Sequence, residues 1–206
     1  MNVKDEAHLF LTGYSINLIK SRYLVRDNNY LVTTNLGMLD KFISKHCTHY
    51  FLSPSYRNKY RLNTQMCIKI AENNFSKNCA FVLDKKYLNF VKNINPNRKF
   101  IEKSSYHSWL GRFSPKIKIQ TTSHFGCINL LSNMNVKKVF LWGADYILDK
   151  PFDIHFYNNN INKNATHNQF ILDSYKYIKD NFKKMKIIHV CPTGYQSKIF
   201  EYINIE

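Results

Sequence analysis

The sequence predicts an α/β fold with a doubly wound, mostly parallel sheet. Three observations lead to this prediction. Short apolar runs without charges recur along the chain, which is typical of strands buried on both faces. Turn-forming residues follow most of these runs. Helical patterns lie between several of them, and such alternation favours parallel strands joined by crossover helices. We expect one domain over residues 1–206.

Six strands are predicted, each from an apolar run that ends in small or polar residues. They are His8–Leu11, Tyr30–Thr34, Tyr50–Leu52, Ala80–Leu83, Val139–Trp142 and Ile187–Val190. The stretch from Lys92 to Lys118 contains two prolines and a glycine in an irregular pattern, and it predicts loops.

Two helices are predicted from apolar residues at helical spacing. In the first, apolar residues recur from Phe125 to Met134, and Thr122 or Ser123 is the expected N-cap. In the second, the apolar stripe runs from Ile171 to Phe182. Its start, Thr166-His167-Asn168-Gln169, matches a capping box with Thr166 as the cap.

A lid is predicted between the fifth strand and the second of these helices. The segment from Tyr146 to Thr166 is irregular and rich in asparagine. It follows a strand end at the edge where parallel sheets bind ligands, so we interpret residues 146–166 as a mobile lid.

The charge of the chain indicates an anionic partner. Thirty lysines and arginines against fourteen acidic residues give a formal net charge of +16. Such an excess is typical of proteins that contact nucleic acid, acidic membrane surfaces or phosphorylated substrates. The basic residues are spread along the chain rather than gathered in one run, which is compatible with docking on an anionic membrane.

Cysteine usage and hydropathy predict a cytoplasmic protein, and the net charge raises the hypothesis that it lies peripherally at the inner membrane. The five cysteines are odd in number and widely spaced, with no CxxC pair, and we expect buried, reduced thiols. We find no signal-peptide pattern, and no apolar stretch approaches the roughly 18 residues that a membrane-spanning helix needs.

Small polar residues follow several predicted strands, where a parallel sheet would bring them to one edge. Asn35 follows the second strand, Ser53 the third and Asp145 the fifth. Asp145 can either orient a substrate hydroxyl or close an Asx-turn. Gly13 and Ser15 follow the first strand, where a glycine lets the backbone approach a phosphate closely.

His167 is the strongest candidate for a catalytic base. The predicted capping box places it at the first helical position, where the positive end of the dipole disfavours imidazolium. A neutral ring can accept a proton, as a general base requires. The alternative is an ordinary surface histidine at a helix start.

No metal site or cofactor is predicted. The sequence has no DxD pair of carboxylates for a divalent ion on a diphosphate, and no HxxxH or CxxC. His46 and His49 flank Cys47, but no second ligand-rich segment completes the set.

The order of these motifs resembles that of the bacterial lipooligosaccharide sialyltransferases. The shared features are Thr122-Ser123, the strand ending in Gly143-Ala144-Asp145, His167 and Cys191-Pro192. Asp145 follows Thr122 by 23 residues and Cys191 follows His167 by 24, and both spacings match the family. Asn35 and the Ser53-Pro54-Ser55 segment extend the resemblance to the first half of the chain.

The resemblance implies a single Rossmann-like nucleotide-binding domain with a short lid. It also implies metal-independent, inverting transfer of sialic acid, or a related acidic sugar, from a CMP-linked donor to a lipooligosaccharide or lipopolysaccharide glycan. It implies that His167 deprotonates the acceptor hydroxyl and that Tyr146 and Tyr157 bind the leaving phosphate. Gly13, Ser15, Asn35, Ser53, Thr122, Ser123 and Asp145 would bind the nucleotide sugar. The implied partners are that donor and a glycan or glycolipid acceptor. The net charge adds an anionic membrane surface as a hypothesis, and self-association stays open.

The sequence also departs from the family. The family's Gly-Asn-Gly-Pro-Ser loop is reduced to Gly13-Tyr14-Ser15, its asparagine is Ser53, and an arginine before the Thr-Ser pair is Gln120. These departures motivate one alternative, a relative that binds a nucleotide or glycan without catalysis. The charge and the Tyr/Phe content allow a second, a nucleic-acid-binding protein on a Rossmann-like fold. No RNP motif, zinc finger or helix-turn-helix supports the second.

Overall fold

The computed structural model describes residues 4–22, 24–26, 28–52, 63–102, 123–152 and 165–206; for 165–168 and 170 it describes the backbone. Ser53, Thr122 and Tyr157 lie outside the described residues, as do Gln120 and the middle of the predicted lid.

Eight parallel strands form one sheet in the described part of the chain, in the order β5-β4-β3-β2-β1-β6-β7-β8. The strands are β1 (Glu6–Phe10), β2 (Tyr30–Thr34), β3 (His49–Phe51), β4 (Ala80–Leu83), β5 (Phe100–Glu102), β6 (Lys138–Trp142), β7 (Lys186–Pro192) and β8 (Glu201–Ile205). This arrangement confirms the predicted Rossmann-like α/β class. The strand order reverses between β1 and β6, so these two neighbours form the topological switch point.

Helices cover both faces of the sheet. They are α1 (Ser15–Leu18), α2 (Lys41–His46), α3 (Thr64–Asn74), α4 (Leu88–Ile94), α5 (Ser123–Asn133) and α6 (Ala165–Asn181). Short 3-10 turns follow β2, β4 and β6. Asp40 and Asn63 cap α2 and α3 by accepting hydrogen bonds from the N–H of Ile43 and Met66, both at 2.9 Å.

Two apolar cores hold the helices to the sheet. One lies under α5 and α6 and includes Leu9, Leu141 and Ile178; the other lies under α1 to α4 and includes Phe10, Tyr50 and Trp142. Successive strand residues point to opposite faces, which is why Leu9 and Phe10 belong to different cores. Every strand from β1 to β4 is therefore apolar on both faces, as predicted for a parallel sheet.

All six predicted strands are present, with ends that differ by up to two residues. β5 and β8 are additions to the prediction. β5 and the end of α4 lie within the stretch from residue 92 that was predicted to form loops, so that prediction is wrong for residues 92–94 and 100–102.

The second predicted helix begins earlier than its capping box implies. α6 starts at Ala165, so Thr166 lies inside the helix and is not its N-cap. His167 is the third helical residue rather than the first. It still lies in the first turn, where the backbone N–H groups lack helical partners.

The described part of the predicted lid packs against the body of the protein. Ile147 and Leu148 are fully buried, and Leu148 forms an isolated antiparallel bridge with Ser197. The lid therefore stays a prediction for the part of the segment outside the described residues. No described helix has the length and apolar character needed to cross a bilayer.

All five cysteines are free thiols in buried positions, as the sequence predicts.

Candidate functional site

The candidate site lies at the carboxyl ends of β1 and β6, the two strands of the switch point. The first turn after β1 contains Gly13 and Ser15, and the turn after β6 contains Gly143 and Asp145. The Gly13 N–H donates to the Gly143 carbonyl oxygen at 3.0 Å, which joins the two turns directly. Open α/β sheets bind ligands in the crevice outside this position.

Gly13 is required by the close approach of these turns. A Cβ atom at position 13 would lie 2.3 Å from the Asp145 Oδ1 and 2.3 Å from the Gly143 carbonyl oxygen. Gly143 has a φ of +67°, a left-handed conformation that glycine adopts without steric strain. These two glycines therefore let the turns pack edge to edge.

Asp145 anchors the turn after β1. The Ser15 backbone N–H donates to Asp145 Oδ2 at 3.0 Å, and the Ser15 hydroxyl donates to Oδ1 in a short hydrogen bond. Both residues are buried. The sequence left two roles open for Asp145, and these contacts support the fixing of a turn. The turn that it fixes is the one after β1, 130 positions away in the sequence, rather than the turn that contains Asp145.

The Asp145 carboxyl is unusually easy to protonate. Burial raises its pKa from 3.8 to about 6, because a carboxylate loses solvation there, and the hydrogen bonds from Ser15 and the Tyr14 backbone offset only part of this effect. No cation contacts it among the residues that the structure describes. A titratable group with a perturbed pKa in a cleft is characteristic of functional sites.

Asn35 and Ser123 form a second polar contact at the same edge. Asn35 Nδ2 lies 3.2 Å from Ser123 Oγ, within hydrogen-bond distance, which connects the end of β2 to the first residue of α5. Asn35 has a φ of +47°, and its carbonyl oxygen accepts a hydrogen bond from the Tyr50 hydroxyl at 2.8 Å. Two residues predicted from opposite halves of the chain are thus in contact.

His167 occupies the first turn of α6, and the helical repeat places position 167 on the same face as Ile171, Ser174 and Ile178. These three residues are buried, so this is the face that α6 turns toward α5 and the sheet. Tyr146, in the 3-10 turn after β6, is half-buried and packs against the apolar core on this side.

A contact between α5 and α6 was missed by the sequence analysis. His124, in the first turn of α5, has its Nε2 3.0 Å from Ser174 Oγ, and its ring stacks on Tyr175 at 4.2 Å between centroids. Burial raises the pKa of the Tyr175 hydroxyl, and the charge of Asp145 adds to the effect. His124 directly follows the Thr-Ser motif, and Ser174 follows His167 by two helical turns. These positions next to predicted site residues were the feature of the sequence that could have revealed the contact.

No cluster of three or more histidine, cysteine or acidic side chains suited to a metal ion occurs in the described part of the chain. His49, one of the two histidines beside Cys47, is buried, and burial lowers its pKa to about 4. The absence of a metal stays a prediction.

Comparisons with known proteins agree with the fold. No protein-family model matches the sequence, and no curated protein matches it. Solved structures do match. The Campylobacter jejuni sialyltransferase CstII, determined with cytidine-5'-monophosphate, is 12% identical with a TM-score of 0.60, over 98% of this chain and 86% of that one.

Two further structures are similar to the same extent. The sialyltransferase CST-II in complex with a trisaccharide acceptor and CMP has a TM-score of 0.59 at 12% identity, over 96% of this chain and 85% of that one. The monofunctional alpha-2,3-sialyltransferase Cst-I from Campylobacter jejuni has a TM-score of 0.55 at 12% identity, over 92% and 76% of the two chains. At this identity the likeness establishes the fold.

Proposed function

We propose that the protein is a sialyltransferase-like glycosyltransferase. It transfers sialic acid or a related acidic sugar from a CMP-linked donor to a cell-surface glycan of the lipooligosaccharide or lipopolysaccharide class, without a metal and with inversion. The observation that supports this most is the junction of Gly13, Ser15 and Asp145 at the switch point of a sheet whose solved neighbours were crystallised with CMP.

The turn after β1 would hold the nucleotide. Asp145 fixes the Ser15 N–H and hydroxyl, so the backbone around Gly13 and Tyr14 is preorganised before a ligand arrives. A loop that is already held in one conformation binds a ligand without the entropic cost of ordering it. In this proposal Asp145 positions the turn, and Asn35 and Ser123 meet the donor from the neighbouring strand and helix.

Transfer would proceed by a single displacement. His167 accepts the proton from the acceptor hydroxyl, whose oxygen forms a bond to the anomeric carbon of the donor. The bond between that carbon and the phosphate oxygen breaks, and its electron pair leaves with CMP. Hydrogen bonds from Tyr146 and Tyr157 would stabilise the negative charge on the departing phosphate, as a metal ion does in other transferases.

The test is CMP release from a panel of CMP-linked acidic sugars, with lipooligosaccharide-type acceptors and a chelator present. The wild type is compared with His167→Ala and with His46→Ala, a matched control on α2 that this mechanism does not use. We expect release with an acidic-sugar donor, retained in the control and reduced at least 100-fold in His167→Ala. No release from any donor, or full activity in His167→Ala, would refute the proposal.

The binding-only alternative gives a different pattern in the same assay. A non-catalytic relative would bind CMP in both the wild type and His167→Ala and would release nothing from any donor.

A further inference from the structure

A groove lies at the opposite end of the sheet from the candidate site. It has a volume of about 830 Å³ and lies between the last turns of α6 and the amino ends of β7 and β8. Because all eight strands are parallel, this end is separated from the carboxyl edge by the length of β7. Its seven residues span six intervals of about 3.3 Å each, so that separation is roughly 20 Å.

The floor of the groove is apolar. Ile178, Phe182, Ile187, Ile199 and Phe200 line it, and all but Phe182 are buried. Tyr202 of β8 lies at its margin with 38% of its surface exposed, which makes it one of the more exposed large apolar residues described. Phe182 and Tyr202 thus supply the more exposed apolar surface of the groove, next to a floor of buried side chains.

The rim of the groove is basic. Four exposed lysines, at positions 179, 183, 186 and 198, line it together with one acidic residue, Glu201. Lys186 pairs with Glu201 at 2.7 Å, and no ion pair joins Lys179, Lys183 or Lys198 among the residues that the structure describes. The rim therefore carries a net charge of +3, from four lysines and one glutamate.

The basic character continues beyond the rim. The segment from Lys176 to Lys186 contains five lysines against one aspartate, Asp180. Lysines near the carboxyl end of α6 also interact favourably with the helix dipole. That explanation does not apply to Lys186 and Lys198, which lie on β7 and in the segment before β8.

We propose that this groove docks the protein on an anionic phospholipid surface. Lysines of the rim would contact the headgroups, and the apolar floor would accept acyl-chain or glycerol-backbone groups that emerge between them. A nucleic acid would satisfy the lysines but leave the apolar floor uncovered. Charge and apolar surface at one place therefore favour a lipid over a polyanion.

Docking in this orientation turns the carboxyl edge away from the membrane. The candidate site would stand roughly 20 Å above the headgroups, the length of β7. An acceptor anchored in the same membrane must then present its reacting sugar at about that height, which an extended glycan does and a sugar next to the lipid does not.

The test is flotation of the full chain with vesicles of phosphatidylcholine alone and of an equimolar mixture of phosphatidylcholine and phosphatidylglycerol. The groove variant is Lys179→Gln with Lys183→Gln. Its matched control is Lys85→Gln with Lys86→Gln, two exposed lysines after β4 with the same change in charge. A third variant, Tyr202→Ser, removes apolar surface without changing charge.

We expect binding to the anionic vesicles only, weakened by salt. The groove variant should bind about 25-fold more weakly, at about fivefold for each lysine, and the control should bind like the wild type. Tyr202→Ser should bind several-fold more weakly with an unchanged salt dependence.

Three results would overturn the proposal. The first is no preference for phosphatidylglycerol, and the second is an equal loss in the two lysine variants, since diffuse charge would then account for binding. The third is no binding to vesicles, together with lysine-dependent binding of duplex DNA or lysine-dependent self-association. The groove would then be assigned to another partner.

Discussion

Two buried carboxylates in this protein are stabilised in opposite ways. Glu72 on α3 lies beside Arg98, whose guanidinium donates two hydrogen bonds of 2.7 Å to it, and the two side chains are 8% and 1% exposed. Asp145, which is 2% exposed, instead accepts its hydrogen bonds from the neutral groups of Ser15. One carboxylate is neutralised within the fold, and the other is not.

This difference distinguishes the structural ion pair of Arg98 and Glu72 from Asp145, which lies in the candidate site. Arg98 also donates to the Cys79 carbonyl oxygen at 3.1 Å, so the pair joins α3 to the strand that follows. Asp145 instead holds a turn at the carboxyl edge of the sheet, where the candidate site lies, and its burial without a cation makes the folded state less stable at neutral pH. Functional sites commonly retain such a local cost in stability.

The largest expected effect is on the structural pair. Arg98→Met leaves the Glu72 carboxylate buried without its partner, and we expect the free energy of unfolding to fall by about 3–5 kcal/mol. Urea denaturation measures it. The double variant Arg98→Met with Glu72→Met should recover most of the loss, because no charge is then buried alone. A loss of less than about 1 kcal/mol in the single variant would place the pair among exposed ion pairs.

The next effect is the pH dependence that Asp145 causes. Its folded pKa is about 6 against an ordinary value of 3.8. The folded state thus binds this proton more tightly, so the contribution to stability is complete below pH 3.8 and is lost as pH rises through 6. Relative to Asp145→Asn, the wild type should lose about 3 kcal/mol over this range.

Denaturation of both proteins at several pH values checks this difference. His8, His49 and His189 have pKa values lowered by burial to about 4, 4 and 3, so they destabilise the folded state as pH falls below 6.5. They occur in both proteins and cancel in the comparison. Parallel curves for the two proteins would mean that Asp145 titrates normally.

Gly13→Ala sharpens the comparison by disturbing the turn that Asp145 holds. The added methyl group would lie 2.3 Å from both the Asp145 carboxylate and the Gly143 carbonyl oxygen. We expect a loss of about 1–3 kcal/mol in stability and loss of CMP binding. Gly194→Ala is the control: alanine strains the backbone there because Gly194 has a positive φ, but no atom lies within 4 Å of the added Cβ. Equal CMP binding in both variants would separate this turn from the nucleotide.

The smallest expected effect concerns the contact between α5 and α6. His124→Phe keeps an aromatic ring on Tyr175 but removes the 3.0 Å contact with Ser174. We expect a loss of about 1 kcal/mol in thermal or urea denaturation. Because Ser174 shares a helical face with His167, transfer activity should fall as well. Unchanged activity would show that α6 is positioned without this contact.

The strands that have continuous apolar runs were predicted correctly from the sequence. The inner strands are apolar on both faces and were all found, but β8 begins with an exposed Glu201 and Tyr202, and three-residue β5 follows Pro96. Edge strands lack the continuous pattern of buried ones, which is why these two were missed.

The position of the candidate site could be predicted from the sequence, but the contacts between its residues could not. Parallel strands bring their carboxyl ends to one edge, so Gly13, Asn35 and Asp145 could be placed there from the sequence. The hydrogen bond between Asp145 and Ser15 joins residues 130 positions apart, and no local pattern encodes it. The capping box at Thr166 failed because helix ends depend on neighbouring structure as well as on local residues.

The most direct test of the account is whether the carboxyl edge binds a cytidine nucleotide. Isothermal titration of CMP into the wild type, Gly13→Ala and Arg98→Met, with chelator present and at a temperature where all three are folded, measures this. We predict binding by the wild type and Arg98→Met, and none by Gly13→Ala. Failure of the wild type to bind CMP, or equal binding by Gly13→Ala, would contradict the assignment of this edge to a nucleotide sugar.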